Sequence, residues 1–467
     1  MPEVRFYNTL TGEKEFFLPQ VHGRVKMYAC GVTVYDHCHI GHGRSLFVFS
    51  LLKRFLKRVG YQVTFVRNIT DVDDKIIARI WEQNSYKEIS QEELKDFVDR
   101  YISSYYQDLE DLGLPKADYE PRATEFINEM IGFVEKLIDK GFAYVTEKGN
   151  VYYSVDRFSD YGKLSKRKID ELLQGVRKGI EGDKRNPLDF ALWKARKENE
   201  PYWDSPWGEG RPGWHLECAV MSTTLLGGPL DVHGGGRDLI FPHHENEIAE
   251  AEPILGQDFA KYWIHHGMVT VEGEKMSKSL GNFITIKDAL SRYPARLWRL
   301  WYLSGHYRSP IDFSSNKMDE IRKMQEKIDR WYAFLVKGGK ASRDLDGLAE
   351  HLREGVYHAL ADDLNTPKAL GVLFSVINKS VEFLKDGKGS SKLRTVADDV
   401  CSLLFIEPKL PRGQSGLDDE LVDLIVQARS VLRSHREFKL ADKIRGELNR
   451  RGIIIEDTKE GSRWMYR

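Results

Sequence analysis

The chain has little cysteine and almost no net charge, and it lacks any long apolar run. Its four cysteines, Cys30, Cys38, Cys218 and Cys401, are too few and too scattered among 467 residues to frame a disulfide-stapled fold. In a reducing compartment such residues are buried apolar groups or metal ligands. No apolar segment approaches the ~20 residues that a membrane-spanning helix needs, so no membrane partner is expected. The opening Met1-Pro2-Glu3-Val4-Arg5 lacks the charged-then-apolar layout of an export signal, which makes the cytoplasm the expected compartment. With 70 Lys and Arg against 71 Asp and Glu, the formal charge is -1, so a nucleic-acid surface has to be a local patch. The glycine-rich Walker loop of P-loop NTPases is absent as well. What remains is an enzyme-like composition, 41% hydrophobic and 30% charged, at a length that calls for two to four domains.

Val25 to Ala29 reads as a short buried strand that breaks at Cys30-Gly31. A helical pattern follows the Gly41-His42-Gly43 turn, with Val48, Leu52, Phe55 and Val59 on one face. After Gly60 a second strand runs from Tyr61 to Ile69. Strand, crossover helix and strand within a few dozen residues predict a parallel sheet, whose ligands sit beyond the carboxyl ends of the strands. Cys30 and Thr70 therefore point toward one crevice. From Leu112 to Pro206 helical stretches alternate with turns and an aromatic strand, Asn150 to Val155, as in an insertion between two halves of a sheet. The run Pro201 to Trp214 leads back to a core strand at Leu230 to His233. Past Leu303 the pattern is helical almost throughout, broken at Lys385 to Ser391, with a linker at Pro408 to Gly416. Two amphipathic helices and an Ile453 to Ile455 strand end the chain.

Three stretches carry chemistry. In Phe241-Pro242-His243-His244-Glu245-Asn246-Glu247 the proline suits the first turn of a helix, which puts His243 and Glu247 at i and i+4 on one face. Completed by Cys30 and Cys218, a Cys/Cys/His/Glu set suits Zn²⁺ better than Mg²⁺ or Ca²⁺. Spacing leaves His244 open as a competing ligand. It also leaves a metallohydrolase open, although the two-histidine-plus-glutamate order of the zincins is missing. His39-Ile40-Gly41-His42 opens the crossover helix, a natural anion site where Gly41 and Gly43 admit a nucleotide and His39 and His42 can donate to phosphate. Lys275-Met276-Ser277-Lys278-Ser279 follows the turn Glu272-Gly273-Glu274, and its two lysines can neutralise charge that builds on a leaving pyrophosphate.

Together, and in this order on a strand-helix-strand scaffold, the last two stretches resemble the signature pair of class I aminoacyl-tRNA synthetases. Cys30-Gly31-Val32-Thr33-Val34-Tyr35-Asp36, Asn68-Ile69-Thr70-Asp71-Val72-Asp73-Asp74-Lys75 and Gly213-Trp214-His215-Leu216-Glu217-Cys218 narrow the resemblance to the cysteinyl-tRNA synthetases. With Phe241 to Glu247 and Asp363-Leu364-Asn365-Thr366 it extends over essentially the whole chain. It implies an α/β fold: a Rossmann-like parallel-sheet catalytic domain in two halves (1–111 and 207–310), an inserted connective region (112–206), a helical bundle (311–410) and a small α/β-type anticodon-binding domain (411–467). It implies one zinc ion held by Cys30, Cys218, His243 and Glu247, with His244 a neighbour. His39, Gly41 and His42 would serve ATP, Lys278 would bind its phosphates with Lys275 assisting, and Asp238 would meet the ribose, its alternative being a simple turn residue. Gly31, Thr33, Thr70 and Trp214 would line the cysteine pocket.

The implied reaction joins L-cysteine to ATP, accompanied by Mg²⁺, and passes the cysteinyl group from its adenylate to the terminal ribose of tRNA(Cys), the enzyme acting as a monomer. A zinc–sulfur contact would separate cysteine from serine where an apolar pocket gains only ~1–3 kcal/mol. Arg433, Arg436, Lys439, Lys443, Arg445, Arg450 and Arg451, with Trp464 and Tyr466 nearby, make the C-terminal segment the expected anticodon reader. That segment also separates this reading from a cysteine ligase acting on a small amine.

Overall fold

The structure is a computed structural model that describes residues 2–84, 88–168, 183–277, 280–410, 419–451, 453–458 and 461–466. The chain divides into two compact units, one of residues 1–321, 352–374 and 402–406, the other of 322–351, 375–401 and 407–467.

The first unit opens with an antiparallel hairpin, β1 (Arg5–Asn8) and β2 (Glu13–Phe16). Strand β3 (Arg24–Thr33), helix α1 (Ile40–Arg58) and strand β4 (Gln62–Thr70) form the expected strand-helix-strand unit, with the two strands parallel. Helices α2 (Asp74–Asn84) and α3 (Gln91–Asp111) follow. Next come α4 (Ile127–Asp139), β5 (Ala143–Val145), β6 (Val151–Tyr153) and β7 (Phe190–Ala195). With β8 (Gly210–Pro212) these three strands make an antiparallel sheet of order β5-β6-β7-β8, so its last strand lies beyond residue 206.

The chain then returns through α5 (Trp214–Leu226), β9 (Leu230–Gly236), α6 (Glu245–Leu255) and β10 (Ala260–His266). β10 and β9 complete a four-stranded, all-parallel sheet of order β10-β9-β3-β4. Strands β11 (Val269–Val271) and β12 (Glu274–Lys275) come next, then α7 (Ile286–Arg292), α8 (Ala295–Ser304) and β13 (Ile311–Phe313). β11 pairs antiparallel with β12 and parallel with β13.

The single apolar face expected of α1 is only part of its burial. Leu46, Phe47, Phe49, Leu51 and Leu56 are also inside, because Phe47 is covered by Tyr302 of α8 and by Phe405, with ring centroids 5.5 and 5.6 Å away. The helix is therefore a core element, buried on more than one face.

Helices α9 (Ser315–Lys337), α10 (Arg343–Ala361), α11 (Thr366–Lys385) and α12 (Ser391–Leu403) carry the chain onward, with the short parallel pair β14 (Lys340–Ala341) and β15 (Lys388–Gly389) between them. Within the second unit the Trp331 indole donates to the Ser380 hydroxyl at 2.8 Å. α13 (Asp419–Ser434), α14 (Phe438–Arg450) and the hairpin β16 (Ile453–Thr458) and β17 (Gly461–Tyr466) close on a small core of Val422, Val426, Leu448, Ile453 and Ile455. Trp464, partly buried, packs on that core and donates to Asp423. Arg429, buried, grips both carboxylate oxygens of Asp457 at 2.8 and 3.0 Å. Much of the Pro408–Gly416 linker and the Tyr466 side chain lie outside the described residues.

Candidate active site

A cavity of about 350 Å³ opens beyond the carboxyl ends of β3, β4 and β9. Of the residues singled out from the sequence it gathers Cys30, Gly31, Thr33, His39, Gly41, His42, Thr70, Trp214, Cys218, Asp238, His243 and Lys275. Glu247 lies in the interior at the cluster beneath, and Lys278 falls outside the described residues.

The thiol end is shaped by a break in the sheet. The β3–β4 register shifts between Ala29 and Val32, and the Gly31 N–H leaves the ladder to donate to the Asn68 side chain at 2.8 Å. A Cβ on Gly31 would fall 1.6 Å from the Asn68 carbonyl oxygen, so only glycine fits there. Asn68 also donates to Thr70 at 3.1 Å and stands 3.7 Å from the Cys218 sulfur. It is thus the strut that fixes Gly31, Thr70 and Cys218 together, a role the sequence pattern alone did not assign.

The four proposed ligands meet. The Cys30 sulfur lies 3.7 Å from that of Cys218 and 3.5 Å from the Glu247 carboxylate, which is 3.0 Å from His243 Nε2. One ligand atom from each falls within 4.8 Å of every other, and all four residues are buried. His243 is not on a regular helix, as its spacing from Glu247 had implied. Phe241 takes an extended conformation, the chain makes a wide turn through Ile240–His244, and α6 starts only at Glu245. The turn still delivers His243 to Glu247, and Trp214 stacks on the imidazole with centroids 4.2 Å apart. Trp214 is therefore both packing and pocket wall.

Electrostatics suit a cation. Burial acts to raise the Glu247 carboxyl, but the flanking His233 and His243 imidazoles outweigh it and hold it well below the usual range. Burial likewise opposes a charged Cys218, yet the hydrogen bond from Cys30 and the neighbouring His243 bring its thiol down to about 6. His243 itself is pushed up to about 10, because Glu247 and the Cys218 sulfur overcome burial. Two further buried carboxyls, Glu217 and Glu250, have oxygens without hydrogen bonds and are held well above the usual carboxyl range by burial. Before a metal binds, the cluster is thus a carboxylate, a thiol of lowered pKa, a second thiol and a protonated imidazole, a donor set that fits one borderline-soft metal ion as its protons are released.

His244 enters differently from its neighbour. Its Nε2 sits 3.2 Å from the Cys30 sulfur and its Nδ1 2.7 Å from His265, while His233 Nε2 lies 2.6 Å from the outer oxygen of Glu247. Cys30, His233, His244 and Glu247 therefore form a second geometrically allowed set. Only Cys30, Cys218 and His243 face the cavity, however, so the set that includes them is the one a bound molecule can reach. His233, His244 and His265 make a buried layer that orients the ligands from behind. His244 was open to spacing as a competing ligand, whereas the positions of His233 and His265 on separate strands give no sequence spacing that would have revealed them.

At the other end, the expected turn at Gly41-His42-Gly43 is already helix. His39 is the N-cap, its Nδ1 accepting the Gly41 and His42 N–H groups at 3.0 and 3.2 Å, and His42 Nδ1 accepts the His39 N–H at 3.2 Å. The two rings stack 3.7 Å apart. With Nδ1 accepting in both, a neutral ring carries its proton on Nε2, and both residues line the cavity. Burial, aided by His39, keeps His42 well below its ordinary pKa and hence neutral. A Cβ on Gly41 would strike the His39 ring at 2.8 Å, whereas one on Gly43 would meet the Tyr302 hydroxyl at 2.5 Å. Gly43 thus serves helix packing, a correction to its reading as a point of nucleotide approach.

Lys275 stands exposed on β12 at the cleft rim, and Asn282 clips the loop by donating to the Lys275 carbonyl at 3.2 Å and accepting the Ser277 N–H at 2.8 Å. The segment beyond pairs back onto the histidine stretch: the Ile40 N–H donates to Ile284 at 3.1 Å and the Ile286 N–H to Cys38 at 2.8 Å. Lysine loop and histidine helix are therefore one hydrogen-bonded assembly.

A family model described as tRNA synthetases class I (C) catalytic domain matches residues 16–323, and one described as DALR domain matches 355–403. Cysteine–tRNA ligase of Persephonella marina is 46% identical, and that of Aquifex aeolicus 45%, each over 99% of this chain and 99% of its own. The chain belongs to the cysteine–tRNA ligase family. Among solved structures, Mycobacterium tuberculosis methionyl-tRNA synthetase in complex with methionyl-adenylate is similar with a TM-score of 0.59 at 14% identity, over 81% of this chain and 89% of that one. An Agrobacterium radiobacter LeuRS–tRNA complex gives 0.60 at 12%, over 83% and 84%. At such identities they establish the class I fold. Membership of the ligase family implies tRNA, an amino acid and ATP as substrates.

Proposed function

We propose that the chain activates L-cysteine with ATP and transfers the cysteinyl group to the terminal ribose of tRNA(Cys), working in the cytoplasm as a single chain. The observation that carries the reading is a four-donor thiol-seeking cluster, three of whose members line a cavity that two histidines and a lysine line as well. A zinc ion held by Cys30, Cys218, His243 and Glu247 would supply a Lewis-acid position that takes sulfur and disfavours a serine hydroxyl.

The remaining chemistry belongs to the chain. Thr70, Gly31 and Trp214 bound the pocket in which the amino acid lies, so its carboxylate can reach the α-phosphate of ATP. His39 and His42 donate from Nε2 to phosphate oxygens, and Asp238, at the end of β9, meets the ribose. Lys275, with Lys278, neutralises the charge that develops on the departing pyrophosphate. Mg²⁺ accompanies ATP. Each contribution is positioning or charge stabilisation, and no covalent enzyme intermediate is needed. The exposed cations of α13 and α14, from Arg433 to Arg450 with Arg451, support an anticodon-reading role for the C-terminal segment.

Cysteine-dependent ATP–pyrophosphate exchange, with serine as the control, tests the first step, and charging of tRNA(Cys) tests the second. Truncation after Pro411 is expected to weaken charging while sparing exchange. Equal loss of both would refute that division of labour.

A further inference from the structure

Arg44 sits two residues past His42 on α1, with only 1% of its surface exposed. Its Nη1 donates to the carbonyls of Gly267 and Met268 at 3.0 and 2.9 Å, and its Nη2 to those of His306, Tyr307 and Ser309 at 3.1, 3.1 and 2.6 Å. Four terminal N–H groups thus serve five main-chain oxygens. Burial lowers the guanidinium to about 10, which still leaves it charged at neutral pH.

The carbonyls belong to two segments that matter to the cleft. Gly267-Met268 leads directly into β11, and Ser309 lies just before β13. β12, which carries Lys275, is hung on β11, and β11 is paired to β13. The segments cross closely: the Gly267 N–H donates to Tyr307 at 2.8 Å, and a Cβ on Gly267 would stand 2.4 Å from the Ser309 carbonyl. Asp363 holds the second segment from another side, accepting from the Tyr307 hydroxyl at 2.7 Å and from Arg308 at 2.8 and 2.7 Å. Asp363 also accepts the Tyr7 N–H, and it keeps a left-handed backbone, φ 65°, that non-glycine residues rarely adopt.

We infer that Arg44 is a positioning residue for the activation step: it fastens the roots of β11 and β13 to the helix that bears His39 and His42, and so sets where Lys275 stands across the cleft from them. The inference rests on the ligase reading above. Lysine cannot replace the fork, since a single ammonium offers three donors from one point and leaves buried carbonyls unpaired.

The test uses the full chain carrying Arg44→Lys or Arg44→Met, with metal content, thermal midpoint and ATP–pyrophosphate exchange measured on the same preparations. Both variants are expected to keep their metal and the parent KM for cysteine while kcat for exchange falls about 10²-fold, as for a misplacement of about 1 Å. Asp363→Asn, which loosens the same segment without touching Arg44, should lower kcat about tenfold. A parent that shows no cysteine-dependent exchange would sink the ligase reading itself. An active parent with Arg44→Lys and Asp363→Asn folded and kcat unchanged would overturn the positioning role alone. A fall in kcat that only tracks lost metal or a raised cysteine KM would overturn it too, by making Arg44 a general support.

Discussion

On the thiol side of the cleft every donor is in the interior and comes from, or runs directly into, a regular element: Cys30 at the end of β3, Cys218 in α5, His243 and Glu247 at the start of α6. A second layer, His233, His244 and Asn68, fixes those donors in turn. On the phosphate side Lys275 is exposed on a two-residue strand, steadied by its pairing to β11, by a side-chain clip from Asn282 and by the distant grip of Arg44. The difference matches the two tasks. On the function proposed above, telling sulfur from oxygen depends on donor type and distance, whereas neutralising a departing polyphosphate needs positive charge placed at the cleft rim.

If the thiol side is the rigid selector, removing one donor should do the most damage. Cys30→Ser is expected to empty the site of metal and to cut cysteine-dependent exchange on the order of 10³-fold, the equivalent of about 4 kcal/mol. Metal analysis beside the exchange assay checks it, and a metal-free variant that still chose cysteine over serine would break the comparison. Lys275→Ala should cost about 10²-fold in kcat with the cysteine KM unmoved, since the lysine acts on charge that exists only in the transition state. A raised cysteine KM instead would mean that the two walls are not separate. His233→Asn sharpens the claim for the buried layer: metal affinity should fall about 10–100-fold while Lys275-dependent chemistry at saturating zinc survives.

The contrast also explains how much could be read from the sequence. The parallel sheet was legible because a short apolar strand, β3, and a run of β-branched and aromatic residues, β4, flank an apolar helix, and that alone sent Cys30 and Thr70 to one crevice. The ligand set was legible once Cys30, Cys218, His243 and Glu247 were read together through family resemblance. The reason those donors stay in place was not: His233, His265 and Asn68 reach the cluster only through tertiary folding, and no period links them. Local pattern also misread α1, whose second buried face is created by Tyr302 and Phe405 from far along the chain. Gly43 was misassigned for the same reason, since the atom it must avoid belongs to α8.

A further comparison concerns pH, and it separates the walls without mutation. Burial holds the Cys30 thiol well above its ordinary value, so metal binding has to expel its proton, and affinity should weaken as pH falls, by about tenfold per unit for each proton released. On the opposite wall burial holds His42 well below its ordinary value, so between pH 8 and 6, roughly the range over which an ordinary histidine titrates, it stays a neutral donor and contributes no change. An acid limb in the exchange rate over that range should therefore disappear when zinc is supplied in excess. An acid limb that persists at saturating zinc would place the titrating group on the phosphate side, and the division between a proton-sensitive selector and a proton-indifferent phosphate wall would fail.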